Sequence, residues 1–299
     1  MDPSDPPEPS APVPGTSRVG APAQGFAPEV ERRDAASDLV LVCEHASRRV
    51  PERWRGLGLS ERDARSHAAW DPGAQALARA LSARLDAPAV ISTVSRLVHD
   101  ANRPAGDPSA MPARVELVDV PGNAALPDDE VRARAALVHA PFHATLAALL
   151  DWREAEGLPT CLVTVHSFNP TWHGEPREVG LGVLHDEDAR LADALLGALG
   201  EADASGVAGG LAGVAVRRNE PYGPEDGVTF TLVEHALERG LPNVMLELRA
   251  DLLCDAAGVS DAAVADVAAA LAPALVRAAT DVLGPLARTN RAGMRVGAD

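Results

Sequence analysis

Six short apolar runs mark the chain: LVLVCEH (39–45), PAVISTV (88–94), TCLVTVH (160–166), VGLGVLH (179–185), VAV (214–216) and NVMLELR (243–249). They are continuous rather than alternating, as expected of strands covered on both faces. Between them lie segments of helical texture at 73–85, 129–152, 187–199, 227–239 and 260–282. Pro127 and Asp128 precede the second of these and Ser260 stands in a cap position before the last. Strands alternating with helices predict an α/β fold, a mixed, largely parallel sheet flanked by helices. One domain over 38–285 accounts for the pattern, with no internal repeat. Residues 1–37, crowded with Pro, Ser, Ala, Gly and acidic side chains, lack periodicity and are expected to form a disordered leader. The tail 286–299 is expected to fray.

Ligands of open α/β sheets bind beyond the carboxyl ends of the strands, so the residues there carry the functional signal. The first run ends in Glu44-His45-Ala46-Ser47, the third in His166-Ser167-Phe168-Asn169, and the last carries Glu247-Leu248-Arg249. The second leads into Ser95-Arg96-Leu97-Val98-His99-Asp100-Ala101-Asn102-Arg103. Two histidines on separate strands with a nearby carboxylate are the parts of a mononuclear zinc site that keeps a position open for water. Such a centre suits amide or ester hydrolysis, with Glu247 as candidate proton carrier and Arg249 beside it. Arg103 with Asn102 offers a fork and an amide for a substrate carboxylate. The plain alternatives are histidines that merely hydrogen-bond in the core, a Glu247–Arg249 ion pair, and Arg103 as a loop anchor. His139 and His143 lie four apart, but the intervening residues are Ala140-Pro141-Phe142. That is not His-Glu-x-x-His, and Pro141 is expected to break the helix, so a structural or substrate-side role is favoured for the pair.

Composition narrows the chemistry. All 27 basic residues are Arg; without Lys there is no Walker-type phosphate loop and no Schiff-base lysine. A net charge of −16 without a dense basic cluster argues against nucleic acid or an anionic membrane as partner. Cys43, Cys161 and Cys254 form no Cys-x-x-Cys pair and read as reduced residues of a cytoplasmic protein. Even the Ala-rich segment 259–283 is interrupted by Asp261, Asp266, Pro273, Arg277 and Asp281, so no uninterrupted membrane-length run is expected.

Seven blocks in order, CEHASRRVP (43–51), HAAWDPGAQALARALSARL (67–85), SRLVHDANRP (95–104), PGN (121–123), HSFNP (166–170), NEPYG (219–223) and ERGLPNVMLELRADLL (238–253), resemble the N-formylglutamate amidohydrolase family. They are also similar to the wider zinc exopeptidases and aspartoacylases, which share an Asp-x-Asn-Arg block and strands ending in His-Ser-Phe/Tyr and bearing Glu-Leu-Arg. The resemblance implies a zinc-exopeptidase-like fold and one Zn2+, or another divalent metal, on His45 and His166. It also implies Glu247 as general base, and Asn102 and Arg103 as carboxylate binders. In exopeptidases the third ligand follows the first histidine by three residues, but that position is Arg48; Asp71 is the preferred replacement and Glu44 the runner-up. Arg96 and Arg177 complete the substrate-side candidates. The stretch 175–180, Glu-Pro-Arg-Glu-Val-Gly, keeps an Arg where the family carries Arg-Pro-Trp-His. Hydrolysis of an N-formyl or N-acyl amino acid is the implied activity. A zinc carboxypeptidase or cell-wall peptide amidase, and a non-catalytic protein holding an acidic metabolite, are the alternatives.

Overall fold

The computed structural model describes residues 25–284 and turns each apolar run into a strand of one seven-stranded sheet. The strands are β1 (Glu29–Glu31), β2 (Leu39–Cys43), β3 (Ala89–Ile91), β4 (Cys161–Phe168), β5 (Leu181–Leu184), β6 (Val216–Arg218) and β7 (Asn243–Arg249). Their order is β1-β3-β2-β4-β7-β5-β6. The four central strands β3, β2, β4 and β7 run parallel, β5 is antiparallel to β7, and β6 is parallel to β5. The expected mixed, largely parallel sheet is therefore present.

Helices α1 (Ala74–Leu85), α2 (Asp128–Arg134), α3 (Ala140–Ala155), α4 (Arg190–Ala204), α5 (Phe230–Leu232) and α6 (Asp261–Leu283) cover both faces. Ala74, Leu77, Ala78 and Leu81 recur at i, i+3, i+4 and i+7, so α1 lays one stripe on the sheet. Together with α4 and α6 it packs over Leu39, Leu41, Val163, Val165 and Leu246. On the opposite face Phe142, Leu146 and Leu150 of α3 and Leu232 of α5 meet Val40, Val42, Leu162 and Met245. Alternate residues of each central strand thus feed separate clusters, which is why the runs are apolar throughout. A third cluster, built on Trp54, Leu57, Leu97, Val98, Val120 and Val138, supports the loops at the site.

Three expectations need correction. Residues 29–31, assigned to a disordered leader, form β1 and pair antiparallel with β3, closing an edge that would otherwise present unpaired backbone. Ion pairs from Arg79 to Glu29 and Glu31 secure it, so the acidic residues that lowered the apolar content are the ones that anchor the strand. Second, Pro141 does not end the helix: α2 and α3 are joined through a π turn, Ala135–His139. Pro141 has no N–H for the carbonyl of Leu137, and the N–H of Phe26 donates to that oxygen instead, at 2.8 Å. Third, α6 and the helical stretch Asp128–Ala155 are long and apolar enough to cross a bilayer by length and composition. Both pack on the sheet, where an Ala-rich helix serves as a core layer. The expectations for residues 1–24 and 286–299 lie outside the described residues.

Candidate active site

His45 follows the end of β2, His166 lies near the end of β4, and Asp71 sits in the turn that starts α1. The Asp71 N–H donates to His45 O at 3.0 Å, and Ser167 Oγ donates to Pro72 O at 2.7 Å, tying that turn to both strand ends. All three candidate side chains are buried. His166 Nδ1 is 3.0 Å from Asp71 Oδ2 and 3.2 Å from His45 Nδ1, and His45 Nδ1 is 3.3 Å from Asp71 Oδ2. These separations come close to the ~3.4 Å edge of a tetrahedron with ~2.1 Å metal–ligand bonds.

The other nitrogen of each ring meets a carboxylate. His45 Nε2 donates to Asp100 Oδ1 at 2.7 Å, and His166 Nε2 stands 3.1 Å from Glu44 Oε2. Glu44 therefore faces the outer side of His166 instead of joining the triangle, and Asp71 takes the inner position. Asp100 was missed as a site residue, although the Asp-x-Asn-Arg block contains it; its reach to His45 depends on how the 95–103 loop folds back. Asp71, Glu44 and Asp100 with Arg96 leave two net negative charges around two imidazoles. Against the cost of burial, these carboxylates hold His45 and His166 above the ordinary imidazole value. Such a cluster draws positive charge, and two inward-facing imidazole nitrogens with one carboxylate oxygen suit a divalent cation.

Glu247 pairs in register with His166 across β7 and β4, so the two side chains leave the sheet on the same face. It lines the pocket, and its Oε2 has no hydrogen-bond partner. Burial, reinforced by Asp71 and opposed by His166, raises its pKa to about 7.

The candidate arginines separate clearly. Arg103 lines the pocket, donates to Asn102 O at 2.8 Å, and has no ion pair among the described residues. Arg96 also lines it, but its guanidinium binds Asp100 at 2.8 Å and lies 3.5 Å from Asp71, so it balances charge inside the cluster. Asn102 also lines the pocket, while its amide donates to Val228 O and accepts from Thr231 N–H, so it holds backbone as well. Arg177, expected on the substrate side, stands behind the wall: it bonds Tyr222 Oη at 2.8 Å and lies over the rings of Phe168, Trp172 and Tyr222. Arg249, expected beside the chemistry, pairs with Asp251 and donates to the carbonyls of Arg177 and Glu178, away from the pocket lining. It lies two residues after Glu247, at the last position of β7, and these partners hold its guanidinium away from the pocket. Trp172, four residues beyond Phe168, supplies an aromatic wall that the 175–180 stretch lacks.

The family model described as N-formylglutamate amidohydrolase matches residues 37–254. Among solved structures, a gene product of Agrobacterium tumefaciens is 44% identical with a TM-score of 0.80, over 89% of this chain and 100% of that one. An N-formylglutamate amidohydrolase from Ralstonia eutropha shares the fold at a TM-score of 0.56 and 18% identity, over 87% of this chain and 96% of that one. No curated protein matches. With a family match that spans six of the seven strands, the loops beyond them and every site residue named above, the chain belongs to the N-formylglutamate amidohydrolase family, hydrolases of carbon–nitrogen bonds.

Proposed function

We propose that this enzyme hydrolyses the amide of a small N-acyl amino acid, with N-formylglutamate as the expected substrate, using one zinc ion held by His45, Asp71 and His166. The observation that carries the reading is the buried His45–Asp71–His166 triangle with sides of 3.0 to 3.3 Å. A divalent cation there supplies Lewis acidity to the amide carbonyl and lowers the pKa of a water; manganese, iron or cobalt would suit the same donors. Asp100 and Glu44 orient the two rings so that Nδ1 points inward. Glu247 in its carboxylate form accepts a proton from the attacking water and returns it to the leaving nitrogen, and a pKa near neutrality matches both steps. Arg103 takes the substrate carboxylate through its free guanidinium edge. Phe168, Trp172 and Tyr222 limit water around the reacting atoms. The pocket, about 180 Å³, is small beside the ~300–1,000 Å³ of drug-sized sites, which favours an acyl amino acid over a peptide end. A cytoplasmic location accompanies the reading, on the strength of Cys43 and Cys161 being free thiols buried in the sheet.

The test is metal content of the purified protein together with turnover of N-formylglutamate, N-acetylglutamate and dipeptides. Stoichiometric metal and turnover of the formyl compound are expected. Protein without stoichiometric metal that gains no activity from added zinc would instead be the metabolite holder, and exclusive turnover of dipeptides would make it a peptidase.

A further inference from the structure

Both π turns among the described residues, Ala135–His139 and Val233–Leu237, carry a histidine that the catalytic reading does not use. The first sets a register. Arg134, His139 and His143 are spaced by five and then four residues; in an uninterrupted α-helix a five-residue step is ~500°, which leaves His139 about 140° from Arg134. A π turn accommodates one more residue per turn and brings all three toward one face.

That face grips the loop that bears Arg103. Arg134 Nη1 donates to Asn123 Oδ1 at 2.6 Å, and Asn123 Nδ2 donates to Leu97 O at 2.8 Å. His143 Nε2 donates to Ala101 O at 2.8 Å, and His139 Nε2 donates to Arg103 O at 3.0 Å. From the second π turn, His235 Nε2 donates to His143 Nδ1 at 2.7 Å, with the two rings parallel within 5° and their centroids 5.0 Å apart. His99 packs against His139 at 5.0 Å. Donating through Nε2 and accepting at Nδ1 requires a neutral His143 ring. Burial, with the unfavourable crowding of a second protonated imidazole and, for His235, with Arg239 nearby, lowers His139 to about 3 and His143 and His235 to about 4.

We propose that His139 and His143 are positioning residues that hold the carbonyls of Arg103 and Ala101, and so fix the Arg103 guanidinium where the substrate carboxylate docks. The inference rests on the proposed role of Arg103. A core role alone would need only ring-shaped apolar side chains, whereas here each ring supplies a donor to a carbonyl of the substrate loop.

The test compares the metal-loaded full chain with H139L, H139Q and R103Q, reading kcat and KM for N-formylglutamate and amide hydrogen exchange across residues 99–105. H139L is expected to raise KM roughly tenfold, with kcat within about threefold, and to speed exchange in the loop. H139Q, whose amide nitrogen replaces Nε2, should restore both. Wild-type KM and exchange in folded H139L would overturn the positioning role. A wild-type KM in R103Q would overturn the role of Arg103 in substrate binding, and with it the link from the histidines to the substrate, while exchange in H139L would still report whether they hold the loop. Should H139L fail to fold, H139N, too short to reach Arg103 O, takes its place against H139Q with the same outcomes.

Discussion

At His45 and His166 the second ring nitrogen decides what the first can do. Asp100 accepts from one ring and Glu44 faces the other, so two histidines from different strands point Nδ1 toward Asp71. D100N removes the charge while keeping the shape, and is expected to weaken cation affinity ~10–100-fold, measured by chelator competition. Unchanged affinity would mean that packing alone orients His45. For Glu247, E247Q should retain the metal and lose ~10²–10⁴-fold in kcat, read by turnover alongside metal content. Near-normal turnover would remove Glu247 from the mechanism. Arg177 illustrates a different point: three aromatic rings surround it, so its charge serves the wall and not the substrate.

The start of α1 shows how a short element holds a functional side chain. Asp71 is followed by Pro72 and by Gly73 at φ +84, a left-handed conformation in which a Cβ would lie 2.5 Å from Leu253 Cβ. Both the backbone and the close approach require glycine. G73A is therefore expected to destabilise the fold by ~1–3 kcal/mol and to weaken cation binding through displacement of Asp71, read by denaturant unfolding and by chelator competition. Stability and affinity both at wild-type values would show that the turn adapts without moving Asp71. In the 128–155 helix, Pro141 is a local signal to break the helix, yet the helix continues. A partner far away in the chain, Phe26 N–H, satisfies the freed carbonyl.

Across the whole molecule, buried neutral histidines couple the fold to pH. The folded-state values of His139, His143 and His235 lie below the ordinary imidazole value of 6.5, at about 3, 4 and 4. As pH falls below 6.5 the unfolded chain takes up these protons before the folded one, so their contribution to stability is present at neutral pH and is lost progressively down to the folded values. Because His45, His166 and Glu247 are shifted upward and act in the opposite sense, the effect is read as a difference: the urea midpoint of the wild type should fall more between pH 7 and about pH 5 than that of H143Q, and equal changes would mean that the rings take up protons equally in both states. The absence of Lys, visible in composition, means that anion recognition falls to arginines, and the fold leaves Arg103 as the one with an open guanidinium in the pocket. Continuous apolar runs sufficed to locate the central strands, because burial on both faces leaves no room for polar residues. That His45, His166 and Glu247 would gather at neighbouring strand ends was legible for a related reason: polar residues that close apolar runs sit together where parallel strands end. Asp100, the commitments of Arg96, Arg177 and Arg249, and the strand at 29–31 were not legible, since each depends on a partner distant in sequence. Residue order sets which segments become strands, helices and candidate donors; which donors converge, and which charges are already paired, follows only when folding brings separate loops into contact, because hydrogen bonds and ion pairs act over a few ångströms of space.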